Sequence, residues 1–299
     1  MAKRIFLFLA TNLLIMAAIT IVVSIVGWFF PGLHRGGLGG LLAMCLIWGM
    51  VGSFISLQLS RWLAKRSLGI QLVDGATGDP ELDWLHATVA RLSKDAALPM
   101  PEVGYYDSSE VNAFATGPSK SRSLVAVSTG LLRTLNRGEI EGVLGHELTH
   151  VGNGDMVTMA LLQGVVNAFV MFLAQIIGWA VGQALSGRDR EDNRGPSGME
   201  WVIQMVVTMV MQVVLGILAS VVTSWFSRRR EFKADAGGAY LAGREKMIAA
   251  LRKLQGVQEA LDPRAGELAT MKINGKSWTS VFSTHPPLDV RIEALERGR

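Results

Sequence analysis

The chain has 299 residues, 49% of them hydrophobic and only 18% charged, with a formal net charge of +4 and a single cysteine. Globular proteins use about 25% charged residues, so the composition argues against an ordinary water-soluble enzyme. Cys45, being alone, excludes an internal disulfide and a cysteine-rich metal site. The Lys and Arg residues cluster beside apolar runs, where anionic lipid and membrane topology account for them better than nucleic acid does.

In chain order, the first apolar run extends from Ile5 to Phe30 behind Lys3 and Arg4. It is too long for a signal h-region and reads as an uncleaved anchor. A Gly/Pro-rich turn leads to a second run, from about Leu38 to Leu59, followed by Arg61, Lys65 and Arg66. The positive charge at both outer ends of this hairpin predicts that they face the cytoplasm. From Ser67 to Asp155 the composition is that of a soluble α+β region. Asp79-Pro80 opens a helix with Leu82, Leu85, Val89 and Leu92 on one face. Val103–Tyr106 and Leu124–Ser128 read as strands, and a helix runs from about Gly138 through His150, with an apolar stripe of Ile140, Val143, Leu144 and Leu148. Two further apolar runs, Met156 to Val181 and Trp201 to Phe226, are each long enough to span a bilayer. Glutamines within them read as interhelical contacts. The predicted organisation is a transmembrane hairpin over 1–66, a first protease segment over 67–155, a second hairpin over 156–226 and a second protease segment over 227–299. The fold class that follows is a mainly α membrane protein, with four hydrophobic segments in two hairpins, carrying a small α+β zincin-like domain.

The chemistry centres on HELTH. On a helix, His146 and His150 lie one turn apart on the same face and can share one Zn²⁺, and Glu147 can take a proton from the metal's water. A catalytic zinc needs a third protein ligand. The best candidate is Glu231 in EFKAD, with Asp235, four residues on, able to hydrogen-bond a ligand imidazole. The competing reading pairs Glu231 with the basic cluster Arg228–Arg230. NAFATG contains Asn112, Ala113 and Phe114, which either line a cleft and pair with substrate backbone or form an ordinary β-turn. His285 in STHPP either donates to a reaction oxyanion or serves structure near a helix start. Arg291 reads as a structural ion-pair residue.

These motifs together resemble the HtpX family of membrane zinc metalloproteases, which is related to the CAAX prenyl proteases. The likeness runs through the N-terminal hairpin, NAFATG, GHELTH at Gly145–His150, the second hairpin, EFKAD at Glu231–Asp235, and STHPP followed by Arg291. It implies one zinc per chain held by His146, His150 and Glu231, with Glu147 as base. It further implies a multi-pass protein of the bacterial cytoplasmic membrane that degrades misfolded or damaged membrane proteins at the cytoplasmic face, as part of a stress response. Prenyl-peptide processing and a non-enzymatic zinc-binding scaffold are the alternatives. Three protein ligands beside a Glu favour an open, catalytic position over a structural one.

Overall fold

The computed structural model describes residues 37–185, 198–261 and 283–298, together with Ile21 and Trp28. The run Ile5 to Phe30 therefore lies outside the described residues apart from those two positions. The elements in order are α1 (Gly37–Leu68), β1 (Gln71–Val73), α2 (Pro80–Asp95), β2 (Glu102–Tyr106), β3 (Ala113–Thr116), β4 (Leu124–Ser128), α3 (Thr129–Thr134), α4 (Arg137–Asn153), α5 (Asp155–Leu185), α6 (Gly198–Ala242), α7 (Arg244–Leu261) and α8 (Leu288–Glu296). Among the described residues, three helices are long and apolar enough to cross a membrane: α1, α5 and α6. The chain divides into two compact units. Within the described residues, 57–159 and 224–298 form one, and 37–56 and 160–223 the other.

The apolar unit is built from α1, α5 and the first part of α6. Its helices approach closely at small residues. A Cβ on Gly49 would collide with the carbonyl of Gly164 and the backbone of Ala168, and one on Gly178 would collide with Thr208. Such close approach is how helices associate where lipid offers no hydrophobic driving force. Val202, Val206, Val213, Ile217 and Leu218 on α6 remain exposed, as contact with lipid requires.

The second unit holds a mixed four-stranded sheet in the order β1-β2-β4-β3. β2 and β4 run parallel, while β1 and β3 are antiparallel to their neighbours. β3 is therefore an edge strand, so Ala113–Thr116 is not the β-turn that was its alternative. Leu85, Val89 and Leu92 of α2 pack with Val103, Val125 and Val127 of the sheet, and with Ile140, Leu144 and Leu148 of α4. Met247 and Leu251 of α7 form a second cluster with Ile292 and Leu295 of α8.

Local sequence sets the helix ends. Asp79 caps α2, its side chain accepting from the backbone of Glu81 and Leu82, with Pro80 at the first helical position. Asn136 and Glu139 form a reciprocal capping box at the start of α4. Gly154, at φ 69°, ends α4 in the left-handed conformation that glycine adopts without strain, and α5 begins at the next residue. The apolar run and EFKAD share one continuous 45-residue helix, α6. No proline or glycine interrupts the stretch from Ile217 through Ala236, so nothing in it breaks the helix.

Candidate metal centre

α4 carries His146 and His150 on one face, and α6 brings Glu231 against them. The His146 Nε2 and His150 Nε2 atoms are 3.1 Å apart. Glu231 places one carboxylate oxygen 3.6 Å from the first and the other 3.4 Å from the second. Glu231 is 2% exposed, and a carboxylate is almost never buried so fully unless it is paired. The helices can meet this closely because glycines face the contact. A Cβ on Gly238 would lie 2.9 Å from the His146 backbone nitrogen, and one on Gly145 would lie 3.1 Å from the Gly238 carbonyl oxygen.

The other nitrogen of each imidazole is already engaged. His146 Nδ1 is 2.9 Å from Asp235 Oδ1, and His150 Nδ1 is 2.6 Å from Asp155 Oδ2. An Nδ1–H donated to a carboxylate fixes the tautomer and leaves Nε2 as a lone pair. Two such lone pairs and a carboxylate therefore converge on one point. Asp235 is held in turn by Arg291, whose Nε and one terminal nitrogen lie 2.8 and 2.6 Å from its two oxygens. Arg291 is buried and also stands 3.6 Å from Glu231. His285 Nδ1 reaches Glu231 Oε2 at 2.7 Å.

Electrostatics follow from this crowding. Burial pulls His146 down, but its hydrogen bonds to Asp235 and Glu231 outweigh that and raise it above the usual histidine value. Burial likewise lowers His150, yet Asp155 and Glu231 push it up to about 9. Burial raises Glu147 above the usual carboxylate range, against the opposing pull of both histidines and the Ala115 backbone amide that faces it from β3. A carboxylate whose pKa is raised is a stronger proton acceptor than a free one.

Most of the candidate residues meet here. His146, Glu147, Glu231 and His285 line one cavity together with Asn112 and Ala113. Phe114, one residue on, packs against Tyr106 with ring centroids 5.9 Å apart and planes tilted by 50°. Arg230, offered as a partner for Glu231, turns instead to the Asp155 carbonyl and to Ser227.

A model of peptidase family M48 matches residues 80–298. The chain belongs to peptidase family M48. Among its relatives, Protease HtpX of Aeromonas hydrophila is 47% identical over 98% of this chain and 99% of its own length. The Protease HtpX of Yersinia enterocolitica is 48% identical over 99% of this chain and 98% of its own. Among solved structures, Ste24p of S. mikatae aligns with a TM-score of 0.63 at 18% identity, covering 99% of this chain and 66% of that one, a likeness of fold. With three apolar helices of spanning length, this M48 peptidase is a multi-pass membrane metalloprotease.

The donor set of this M48 peptidase fits a metal ion. Tetrahedral ligands at about 2.0–2.1 Å from zinc stand about 3.3–3.4 Å from one another, close to the separations of 3.1, 3.4 and 3.6 Å found here. His146, His150 and Glu231 are also the one group of at least three metal-competent side chains found among the described residues. The residue that sequence reasoning missed in this M48 peptidase is Asp155. The sequence signal for it is an acid five residues after His150, beyond Gly152 and Gly154.

Proposed function

We propose that the chain is a zinc-dependent endopeptidase that cuts unfolded or damaged membrane proteins at the cytoplasmic face of a bacterial membrane. The observation that carries the reading is the convergence of two tautomer-fixed Nε2 lone pairs and the Glu231 carboxylate beside Glu147. Zinc, when bound, supplies the Lewis acid that polarises the peptide carbonyl and makes water acidic enough to lose a proton near pH 7. Glu147 accepts that proton and returns it to the departing amine nitrogen. Asp235 and Asp155 hold the two imidazoles in the ligating tautomer, and Arg291 fixes Asp235 in turn. His285 orients Glu231 through Nδ1. With Nδ1–H donated to a carboxylate, the ring can donate to an oxyanion through Nε2 only when doubly protonated. Asn112 and Ala113 stand where an extended substrate pairs with the free edge of β3.

The test uses the purified, detergent-solubilised, zinc-loaded chain with an unfolded protein as substrate. Cleavage is expected, and a chelator should abolish it. Glu147→Gln should retain one zinc per chain and lose about 10²–10⁴-fold in turnover. Near-normal turnover in that variant refutes the mechanism, and zinc loading without any cleavage refutes the protease reading.

A further inference from the structure

We propose that the groove between α5 and the first part of α6 recognises a transmembrane helix of another protein that exposes a polar, uncharged side chain to lipid. The proposal deepens the protease reading above, since it names what marks a membrane protein as damaged, and it rests on that reading for what the bound helix is for. The groove has a volume of about 310 Å³ and lies wholly within the apolar unit.

α6 supplies two parallel rows of residues at helical spacing. Gln204, Thr208 and Gln212 form one row, and Trp201, Met205 and Met209 the other, while Gln175 lines the groove from α5. The two helices touch closely where Thr208 abuts Gly178. The sequence predicts that these glutamines bond the neighbouring helix, and the structure differs. Among the described residues, no hydrogen bond engages the side chain of Gln175, Gln204 or Gln212. The buried hydroxyl of Thr208 has no partner either.

Depth makes these open groups costly. A helix rises about 1.5 Å per residue, so Thr208 and Gln212 stand about 10 and 16 Å along the axis from Trp201. Trp201 opens the apolar run, where an aromatic residue marks the interface. The hydrocarbon core is about 30 Å thick, so Gln212 comes near its middle, beyond the reach of a lipid headgroup. One water takes up about 30 Å³, so the groove is far larger than a single bridging water needs.

What the groove lacks defines its occupant. Amides and hydroxyls both donate and accept, and lipid tails do neither. An unpaired amide or hydroxyl on another helix in the bilayer has the same deficit. In an intact membrane protein such side chains find partners inside the bundle, whereas a misfolded or unassembled one turns them to lipid. None of the lining residues is charged, so a charged side chain would meet no counter-charge. Met205 and Met209 are flexible enough to fit helices of differing shape. A second copy of the chain would set one concave groove against another and fill neither.

The probe is a lysine-flanked, single-span polyleucine helix with one central Asn, compared with its all-leucine parent. Each is reconstituted at high dilution with the full Glu147→Gln chain in phosphatidylcholine vesicles, so that binding is read without cleavage. Energy transfer measures association, and a photo-crosslinking residue in place of Met209 reports contact. The Asn helix should associate about three- to tenfold more tightly than the all-leucine helix and should be captured by the crosslinker. Gln204→Leu combined with Gln212→Leu should erase the difference, and Gln175→Leu alone should reduce it. One zinc per chain in each variant shows that it has folded. Val213→Leu, at an exposed position of α6 outside the groove, should leave the difference intact.

Equal association of the two helices overturns the proposal, as does a preference that survives every glutamine substitution. So does a crosslink, with the Asn helix present, that goes only to lipid, to a second copy or to the chain's own Ile5–Phe30 run. If the preference holds while the zinc-loaded parent chain cleaves no protein, the groove stands and the protease reading falls. If the parent cleaves unfolded protein and shows no preference between the helices, the reverse holds.

Discussion

Adding one methyl group at Gly238 tests how the metal site is held together. Gly238 lies on α6, seven residues beyond Glu231, and its Cβ would stand 2.9 Å from the His146 backbone nitrogen and 3.1 Å from His146 Cα. Non-bonded carbon settles at about 3.5–4.0 Å, so Gly238→Ala must part α4 and α6 by roughly half an ångström. Coordination distances tolerate about 0.2 Å. The two histidines ride on α4 and Glu231 on α6, so the displacement falls directly on the ligand set. Alanine gains about 1 kcal/mol over glycine in a helix interior, while overpacking a tight contact costs about 1–3 kcal/mol. These nearly cancel, so the expected net loss of stability is no more than about 2 kcal/mol. Zinc affinity, measured by competition with a chromogenic chelator, should fall tenfold or more. Gly256→Ala, on the partly exposed α7 with nothing within 4 Å of its Cβ, should only stabilise. If Gly238→Ala binds zinc as tightly as the parent, the glycine contact does not set the ligand geometry and the reasoning fails.

Asp155→Asn keeps an acceptor for His150 Nδ1 but removes the charge, and should lower zinc affinity or activity by about 10–100-fold while the fold survives by circular dichroism. An unaltered affinity would make Asp155 a mere start to α5. Glu231→Ala should lose zinc and activity together and Asp235→Ala should weaken both by less. Glu259→Ala, an exposed control on α7, should change neither, and equal zinc affinity in Glu231→Ala and the control would move the third ligand elsewhere. His150 is held at about 9, above its ordinary 6.5, so its contribution to the metal-free fold is fully present below pH 6.5 and is lost as pH rises toward 9. Zinc uptake at pH 7 should accordingly release protons, and apparent affinity should climb between pH 6.5 and 9. Calorimetry in buffers of different ionisation heat measures the release, and none at pH 7 would contradict the raised value.

The helical, membrane-embedded architecture was legible because its signal is redundant. Runs of more than twenty apolar residues survive any local ambiguity, and α1, α5 and α6 lie where such runs predict them. HELTH announced α4 in the same way, through spacing and stripe together. The strand β1 was not foreseen, since three residues, Gln71–Val73, offer no period to read. The short helix α3 is hidden for the same reason. Asp155 went unread because its link to His150 depends on the left-handed turn at Gly154, which brings an acid five residues on back beside the ring. Nothing in the sequence distinguishes Gly145 and Gly238 from other helix glycines, since only the facing helix reveals what a side chain there would strike. Arg291 was read as an ion-pair residue, and it does clasp Asp235; that the clasp reaches His146 could be known only once α8 was placed.

The order in which the chain is synthesised gives the carboxylate partners a further meaning. His146 and His150 leave the ribosome together with Glu147, before Glu231, Asp235, His285 or Arg291 exist. Between the two groups lies the whole of α5 and most of α6, which must be made and inserted first. A nascent or truncated chain thus carries the HELTH helix with one imidazole unanchored, no third ligand and no arginine behind the second carboxylate. With the ligand set proposed above, the site is complete only after α5 and the apolar part of α6 have been synthesised.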